Sequence, residues 1–157
     1  MKIYYLERSQ KLPITQDVAW AFFSNPANLL TLTPEWAKMT DESPEKARQI
    51  FTGMVQVLGI KLPGGIPGKW LGVITHVDAP HYFIDEQKSG PFKFWLHRHQ
   101  ILPLPSGVEV RDTLHYAMPF GLIGEIAHSL LVRNQLQELF DYRAQVLEDF
   151  FGAGKSY

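Results

Sequence analysis

Two histidines one residue apart, His97-x-His99, stand in the strand-like run Phe94-Trp95-Leu96-His97-Arg98-His99-Gln100-Ile101. Side chains alternate between the two faces of a strand, so both imidazoles share a face with Trp95 and Ile101. The same count over 107–117 groups Val108, Val110, Asp112, Leu114 and Tyr116 on one face, with Glu109, Arg111, Thr113 and His115 opposite. Over 81–88 it groups Phe83, Asp85 and Gln87, with Ile84 and Glu86 opposite. In the run before that, Trp70 and Ile74 are the inward choices, with Gly72 between them. If the apolar faces turn inward, three neighbouring strands carry Asp85, Gln87, His97, His99, Asp112 and the Tyr116 phenol into the interior.

Burying such groups costs several kcal/mol unless they bond to one another, to water or to a ligand. Two outcomes satisfy that demand. One is a structural network, with Asp112 holding a histidine tautomer. The other is the polar floor of a pocket, to which Trp70, Phe83, Asp85, Gln87, Trp95, His97, His99, Asp112 and Tyr116 are the candidate binding residues. His97, His99 and Asp112 are also candidate catalytic groups, since an imidazole oriented by a carboxylate can act as a general base. His-x-His beside Asp85 or Asp112 has the donors of a two-histidine, one-carboxylate metal centre. That pattern is common by chance, no His-Glu-x-x-His occurs, and no metal is expected. Covalent acyl transfer is not expected, because there is no Cys and no Gly-x-Ser-x-Gly. Gly68-Lys69 is not a phosphate loop: Pro63 stands where Gly is required and Trp70 where Ser or Thr is.

The elements that must position these residues follow from punctuation and period. A strand over 2–12 ends at Pro13. Thr15 caps a helix over 16–23, with Val18, Ala19, Phe22 and Phe23 as its stripe. Asn25-Pro26 breaks it and opens a short helix over 26–31, which Thr33-Pro34 stops. Residues 36–43 fit no single pattern, and 47–58 read as a strand. Residues 59–68 hold four Gly and two Pro, which predicts a mobile loop, either a portal or lid or a plain hairpin connection. Strands at 69–78, 81–88, 92–102 and 107–117 are separated by short turn signals, so they pair antiparallel. Residues 122–151 contain no Pro and predict one long helix. Its stripe includes Leu136, Leu139, Phe140, Val146, Leu147 and Phe150, and Gly152 is a C-cap candidate. Arg143 lies within that stripe, either snorkelling at its edge or partnering Asp112 or Glu7. The fold class is α+β: a curved antiparallel sheet wrapped on one long C-terminal helix, with two short helices after the first strand, the helix grip.

Composition narrows the function. Fifteen Lys and Arg against 16 Asp and Glu leave a net charge of −1, which argues against a nucleic-acid partner held by bulk positive charge. The 157 residues fit one domain, 1–157. Charges near the N-terminus and the lack of a 20-residue apolar run predict no signal peptide and no membrane insertion, hence a soluble, cytoplasmic protein. Aromatic residues make up 13%, enough to line a pocket for a flat apolar ligand. Oligomeric state is not legible.

Several stretches together carry a resemblance: Phe22-Phe23-Ser24-Asn25-Pro26-Ala27-Asn28-Leu29, Leu32-Thr33-Pro34, Lys69-Trp70 with Ile74-Thr75, and Phe83-Ile84-Asp85-Glu86-Gln87. Gly90-Pro91-Phe92, Trp95-x-His97-x-His99, Asp112-x-x-His115-Tyr116, Pro119-Phe120-Gly121 and Phe140-Asp141-Tyr142-Arg143 complete it. From about residue 20 to 150 the chain resembles the START-like (SRPBCC) superfamily. Within it, the chain looks most like a bacterial ligand-binding branch whose relatives sometimes bear the label cell division inhibitor or are joined to an epimerase-like domain. Leu96 and Arg98 depart from the branch, which more often has polar or acidic residues there; both point outward. The resemblance implies a cavity between sheet and helix for a lipid, polyketide, quinone or other aromatic or isoprenoid-like molecule, with no cofactor and no metal. Three functions stay open: a binding module, a small cofactor-independent cyclase or hydratase using a His/Asp pair, and a protein-interaction domain with a vestigial cavity.

Overall fold

The computed structural model describes residues 1–62 and 65–152. Among these residues, seven strands form one antiparallel sheet: β1 Tyr4–Leu12, β2 Thr40–Asp41, β3 Val55–Leu62, β4 Ile66–Asp78, β5 Tyr82–Ser89, β6 Phe94–Leu104 and β7 Gly107–Ala117. Their order across the sheet is β1-β7-β6-β5-β4-β3-β2. Helices α1 Gln16–Phe23 and α2 Asn28–Thr31 follow β1, and a 3-10 turn spans Glu35–Ala37. The Thr15 hydroxyl accepts the Val18 N–H, which supplies the N-cap of α1.

The long helix is continuous but not uniform. It runs as α3 Gly121–Ala127, a π-helical turn His128–Val132, and α4 Arg133–Phe151. Leu136, Phe140, Leu147 and Phe151 are the buried residues of α4. Phe151, rather than the expected Phe150, therefore completes the stripe; it lies edge-on to Phe22, while Phe150 is largely exposed.

Two expectations along the chain are corrected. Residues 47–54 are not strand, and β3 starts only at Val55. The Ile50 N–H donates to the Ser24 carbonyl, the Gly53 N–H donates to the Ile74 carbonyl, and the Met54 carbonyl accepts the Ile74 N–H. The Ile50 and Met54 side chains are buried. Such links, to Ser24 and to Ile74 of β4, satisfy the backbone without regular strand pairing. The expected loop at 59–68 is mostly a paired hairpin, with Ile60, Lys61 and Leu62 opposite Gly68, Pro67 and Ile66. Pro67 is tolerated because β4 pairs with β5 only from Leu71 onward, leaving this end with one neighbour. The tip of that expected loop, 63–64, lies outside the described residues.

The core falls into two clusters. Trp20, Leu12, Ile74, Phe83, Ile101, Val108, Val110, Leu147 and Phe151 belong to one. Trp95, Leu114, Tyr116, Leu136 and Phe140 form the other, with Trp70 and Phe92 packed against it. A polar layer lies between them, at the level where Arg143 faces in from α4. Among the described residues, Phe120, Leu122, Ile123, Ile126, Leu130 and Leu131 are all exposed at the start of the long helix and leave an apolar surface uncovered there. No helix among the described residues is long and apolar enough to cross a membrane.

Candidate functional site

Register builds the polar layer. Asp85 of β5 stands opposite His97 of β6, and His99 of β6 stands opposite Asp112 of β7. Each strand alternates normally here, so all four side chains leave the same face of the sheet. They converge into one tetrad. His97 Nε2 and His99 Nδ1 each lie 2.9 Å from the same oxygen, Asp112 Oδ1. On the other side, His99 Nε2 lies 2.8 Å from Asp85 Oδ2, and His97 Nδ1 lies 3.6 Å from that oxygen. The two imidazole centroids are 3.8 Å apart with the rings tilted by 44°.

Aromatic side chains hold the tetrad in place. Phe83 stacks on His99 at 4.2 Å. Phe140 of α4 lies edge-on to His97 at 5.7 Å. The Trp95 indole N–H donates to Asp85 Oδ1 at 3.3 Å, and Trp70 packs edge-on to Trp95 at 5.0 Å.

The charges are set by this arrangement. Burial pushes the Asp85 carboxyl up, but the His99 hydrogen bond and the two imidazoles outweigh it and hold it below its ordinary value. Asp112 is likewise burdened by burial, yet the bonds from His97 and His99 hold it well below the usual carboxylate range. Burial opposes charge on His99, but its contacts with Asp112 and Asp85 win and raise it to about 9. Burial and the neighbouring charge of His99 lower His97 despite the carboxylates. At neutral pH, His99 is therefore the charged imidazole and His97 the neutral one. Arg143 supplies the second positive charge. Burial lowers its affinity for the proton, and the fields of Asp112 and Asp85 offset part of that effect. Two anions thus face two cations.

Arg143 neither snorkels nor pairs directly with Asp112 or Glu7. It is half-buried, its Nε donates to the Leu32 carbonyl at 3.2 Å, and its guanidinium lies 5.2 Å from the Phe140 ring centre. It therefore ties α4 to the end of α2.

The structure brings together Asp85, His97, His99 and Asp112, with Trp95, Phe83 and Trp70 around them. It engages the other two polar candidates elsewhere. Gln87 clamps the β5–β6 turn, donating to the Phe92 carbonyl at 2.6 Å and accepting the Phe92 N–H at 3.2 Å. The Tyr116 hydroxyl lies 2.8 Å from His128 Nε2, and Tyr4 stacks on that imidazole at 3.6 Å. His128 escaped sequence reasoning; the only signal was a lone imidazole in the mostly apolar helical stretch 121–132.

Two cavities lie away from the tetrad. One, of about 120 Å³, is lined by Leu29, Leu30, Met54 and Leu58 with Ser43 and Lys46. The other is an open groove of about 470 Å³ along the β3–β4 hairpin, beside Thr40, Glu42, Lys61 and Lys69. The tetrad itself is not sealed: the side chains of Asp85, His99 and Asp112 keep 18, 19 and 24% of their surface accessible, against 4% for His97. One donor atom from each of Asp85, His97 and His99 lies within 4.8 Å of the others, so these three residues could hold a cation.

No protein-family model matches the sequence, and no curated protein matches it significantly. Solved structures match over nearly the whole chain. TTHA0849 from Thermus thermophilus superposes with a TM-score of 0.68 at 18% identity, covering 99% of this chain and 100% of that one. Norcoclaurine synthase from Thalictrum flavum, in complex with dopamine and hydroxybenzaldehyde, gives 0.66 at 15% identity over 99% and 90%. BexL, a di-domain ARO/CYC from the BE-7585A biosynthetic pathway, gives 0.69 at 13% identity over 98% of this chain and 51% of that one. The fold is the helix grip, shared with these structures. In this helix grip the tetrad occupies the concave face of the sheet, under α4. A shared fold at such identities does not fix an activity, so function must be argued from that site.

Proposed function

We propose that this helix grip binds a small, mostly apolar molecule: a lipid, polyketide, quinone or other aromatic or isoprenoid-like compound. Its polar group meets the Asp85–His97–His99–Asp112 tetrad. The observation that carries this reading is the combination of enclosure and access. The tetrad lies between two apolar clusters, yet three of its four members keep accessible surface. Its charges balance internally, which favours a neutral ligand carrying a hydroxyl or carbonyl over an ionic one. Both N–H groups of the His99 imidazolium are taken by the carboxylates, whose remaining lone pairs suit a hydroxyl donor. Norcoclaurine synthase, which shares the fold, is in complex with dopamine and hydroxybenzaldehyde, which supports an aromatic class of occupant here.

The test is native mass spectrometry of gently purified protein, followed by extraction of anything bound and a thermal-shift panel of quinones, fatty acids and flat aromatics. A co-purifying apolar molecule whose affinity falls in His97→Ala and Asp112→Asn is the expected result. An empty protein that no panel member stabilises overturns the reading, as does a ligand bound equally well by both variants. Turnover of the bound compound, lost in His97→Ala with the fold intact, would identify a cyclase or hydratase instead of a carrier.

One observation favours an interaction domain: the exposed apolar residues Phe120, Leu122, Ile123, Ile126, Leu130 and Leu131. Contiguous apolar surface of this kind commonly marks contact sites. Sedimentation of the wild type against a Leu122→Ser, Ile126→Ser variant separates the readings, since self-association through this face would be lost in the variant.

A further inference from the structure

We propose that Asp85, His97 and His99 form a three-donor site for a divalent transition-metal ion of the zinc or ferrous class, with Asp112 orienting both imidazoles from behind. This departs from the sequence-based expectation of no metal, and it rests on geometry that spacing alone could not supply. It stands apart from the organic ligand argued above: the ion needs no such ligand, and the ligand needs no ion.

Metal-bound histidines typically turn one ring nitrogen to the ion and donate from the other to a carboxylate, which fixes tautomer and ring direction. The tetrad has that arrangement twice. Both rings present one nitrogen to a single oxygen, Asp112 Oδ1, at 2.9 Å. Both present the other nitrogen towards a single oxygen of the opposite carboxylate, Asp85 Oδ2. The two carboxylates thus play different parts. Asp112 sets the rings, and Asp85 closes a triangle of donors with them.

The distances agree with this division. Around a tetrahedral ion with bonds near 2.0–2.1 Å, neighbouring donors lie roughly 3.3 Å apart. From Asp85 Oδ2 the two imidazole nitrogens stand at 2.8 and 3.6 Å, which bracket that value. The first distance is that of a hydrogen bond and the second is not. At 3.6 Å, His97 Nδ1 is beyond hydrogen-bond reach of the oxygen it faces, on a side chain only 4% exposed. An ion between the three donors satisfies that nitrogen and displaces the proton held between His99 and Asp85. The remaining oxygen of Asp85 is already anchored by the Trp95 indole N–H at 3.3 Å. Three protein donors leave a coordination position free, and Asp85 and His99 keep 18 and 19% of their side-chain surface accessible. Two imidazoles and a carboxylate, with no thiolate, suit zinc, ferrous iron or cobalt better than calcium or magnesium.

The test uses the whole chain, freed of metal with a chelator, and titrates Zn²⁺ and Co²⁺ by calorimetry and visible absorption. Protein labelled with ¹⁵N-histidine reports which imidazoles respond. One ion per chain is expected, with the signals of His97 and His99 moving while those of His76, His81, His115 and His128 stay. Asp85→Asn and His99→Gln should each lose binding by about 100-fold or more, and Asp112→Asn should weaken it roughly 10–100-fold. If a variant fails to fold, the labelled wild type still decides. No stoichiometric uptake of Zn²⁺, Co²⁺ or anaerobic Fe²⁺ overturns the site, and so does uptake that shifts the other four histidines instead. Either negative result leaves the apolar-ligand reading intact, because that is scored with ligands alone and in chelator.

Discussion

Replacing Asp112 by Asn keeps the shape of the polar layer and removes the charge on which both imidazoles converge. The cost can be worked from the site. A histidine raised from 6.5 to about 9 prefers its charged form by about 3 kcal/mol more than in water, and two carboxylates share that effect. Losing one of them forfeits roughly half. The remaining positive charge then stays in the layer with one fewer partner, and breaking a buried pair from one side generally costs about 3–5 kcal/mol. Partial accessibility of Asp112, at 24%, places the cost at the lower end of that range or a little below it. Asp112→Asn should therefore destabilise the metal-free protein by about 2–4 kcal/mol at pH 7. For a chain of this size, that is a fall in Tm of roughly 5–15 °C. Urea unfolding in the presence of a chelator measures it directly, with the slope m checking that the unfolded state is unchanged. A loss below about 0.5 kcal/mol would refute the electrostatic account, because it would mean that the tetrad is solvated as a surface cluster is.

Other outcomes follow from the same structure. His128, lowered by burial and by the charges of Lys2 and Arg133, is held neutral against Tyr116 and Tyr4. Its contribution is complete above the unfolded value of about 6.5 and is lost as pH falls through its lower folded value. His128→Asn should flatten the decline in stability below about pH 6.5 seen in wild-type melts. Gly124→Ala should destabilise the protein by about 1–3 kcal/mol in thermal melts, although Ala is the better helix former by about 1 kcal/mol. The reason is local: a Cβ there runs into the Pro119 carbonyl oxygen and the Met118 side chain.

Much of this protein is written locally. β7 spans 107–117 and α1 spans 16–23, as alternation and the Thr15 cap require. Period two also places Asp85, His97, His99 and Asp112 on one face, since a strand's faces are decided by its own backbone. Other features depend on neighbours distant in sequence. Residues 47–54 carry strand-forming types, yet their backbone bonds go to Ser24 and Ile74. The Gly- and Pro-rich stretch after Leu58 has the composition of a loop, but β3 and β4 zip through most of it. The π-helical turn at His128–Val132 leaves no mark in the sequence beyond a lone imidazole, and Tyr116 and Tyr4 define its place.

The division within the site has the same origin. Alternation says which side chains share a face, but not which of them touch. Gln87 and Tyr116 share that face with the tetrad and still spend their polar atoms on Phe92 and His128. Strand register, which sets Asp85 against His97 and His99 against Asp112, is a long-range property of three paired strands. The sequence determined the kinds of group carried inside this grip. Only the tertiary structure decided that four of them meet at one point, because cross-strand distance is fixed by pairing and not by spacing along the chain.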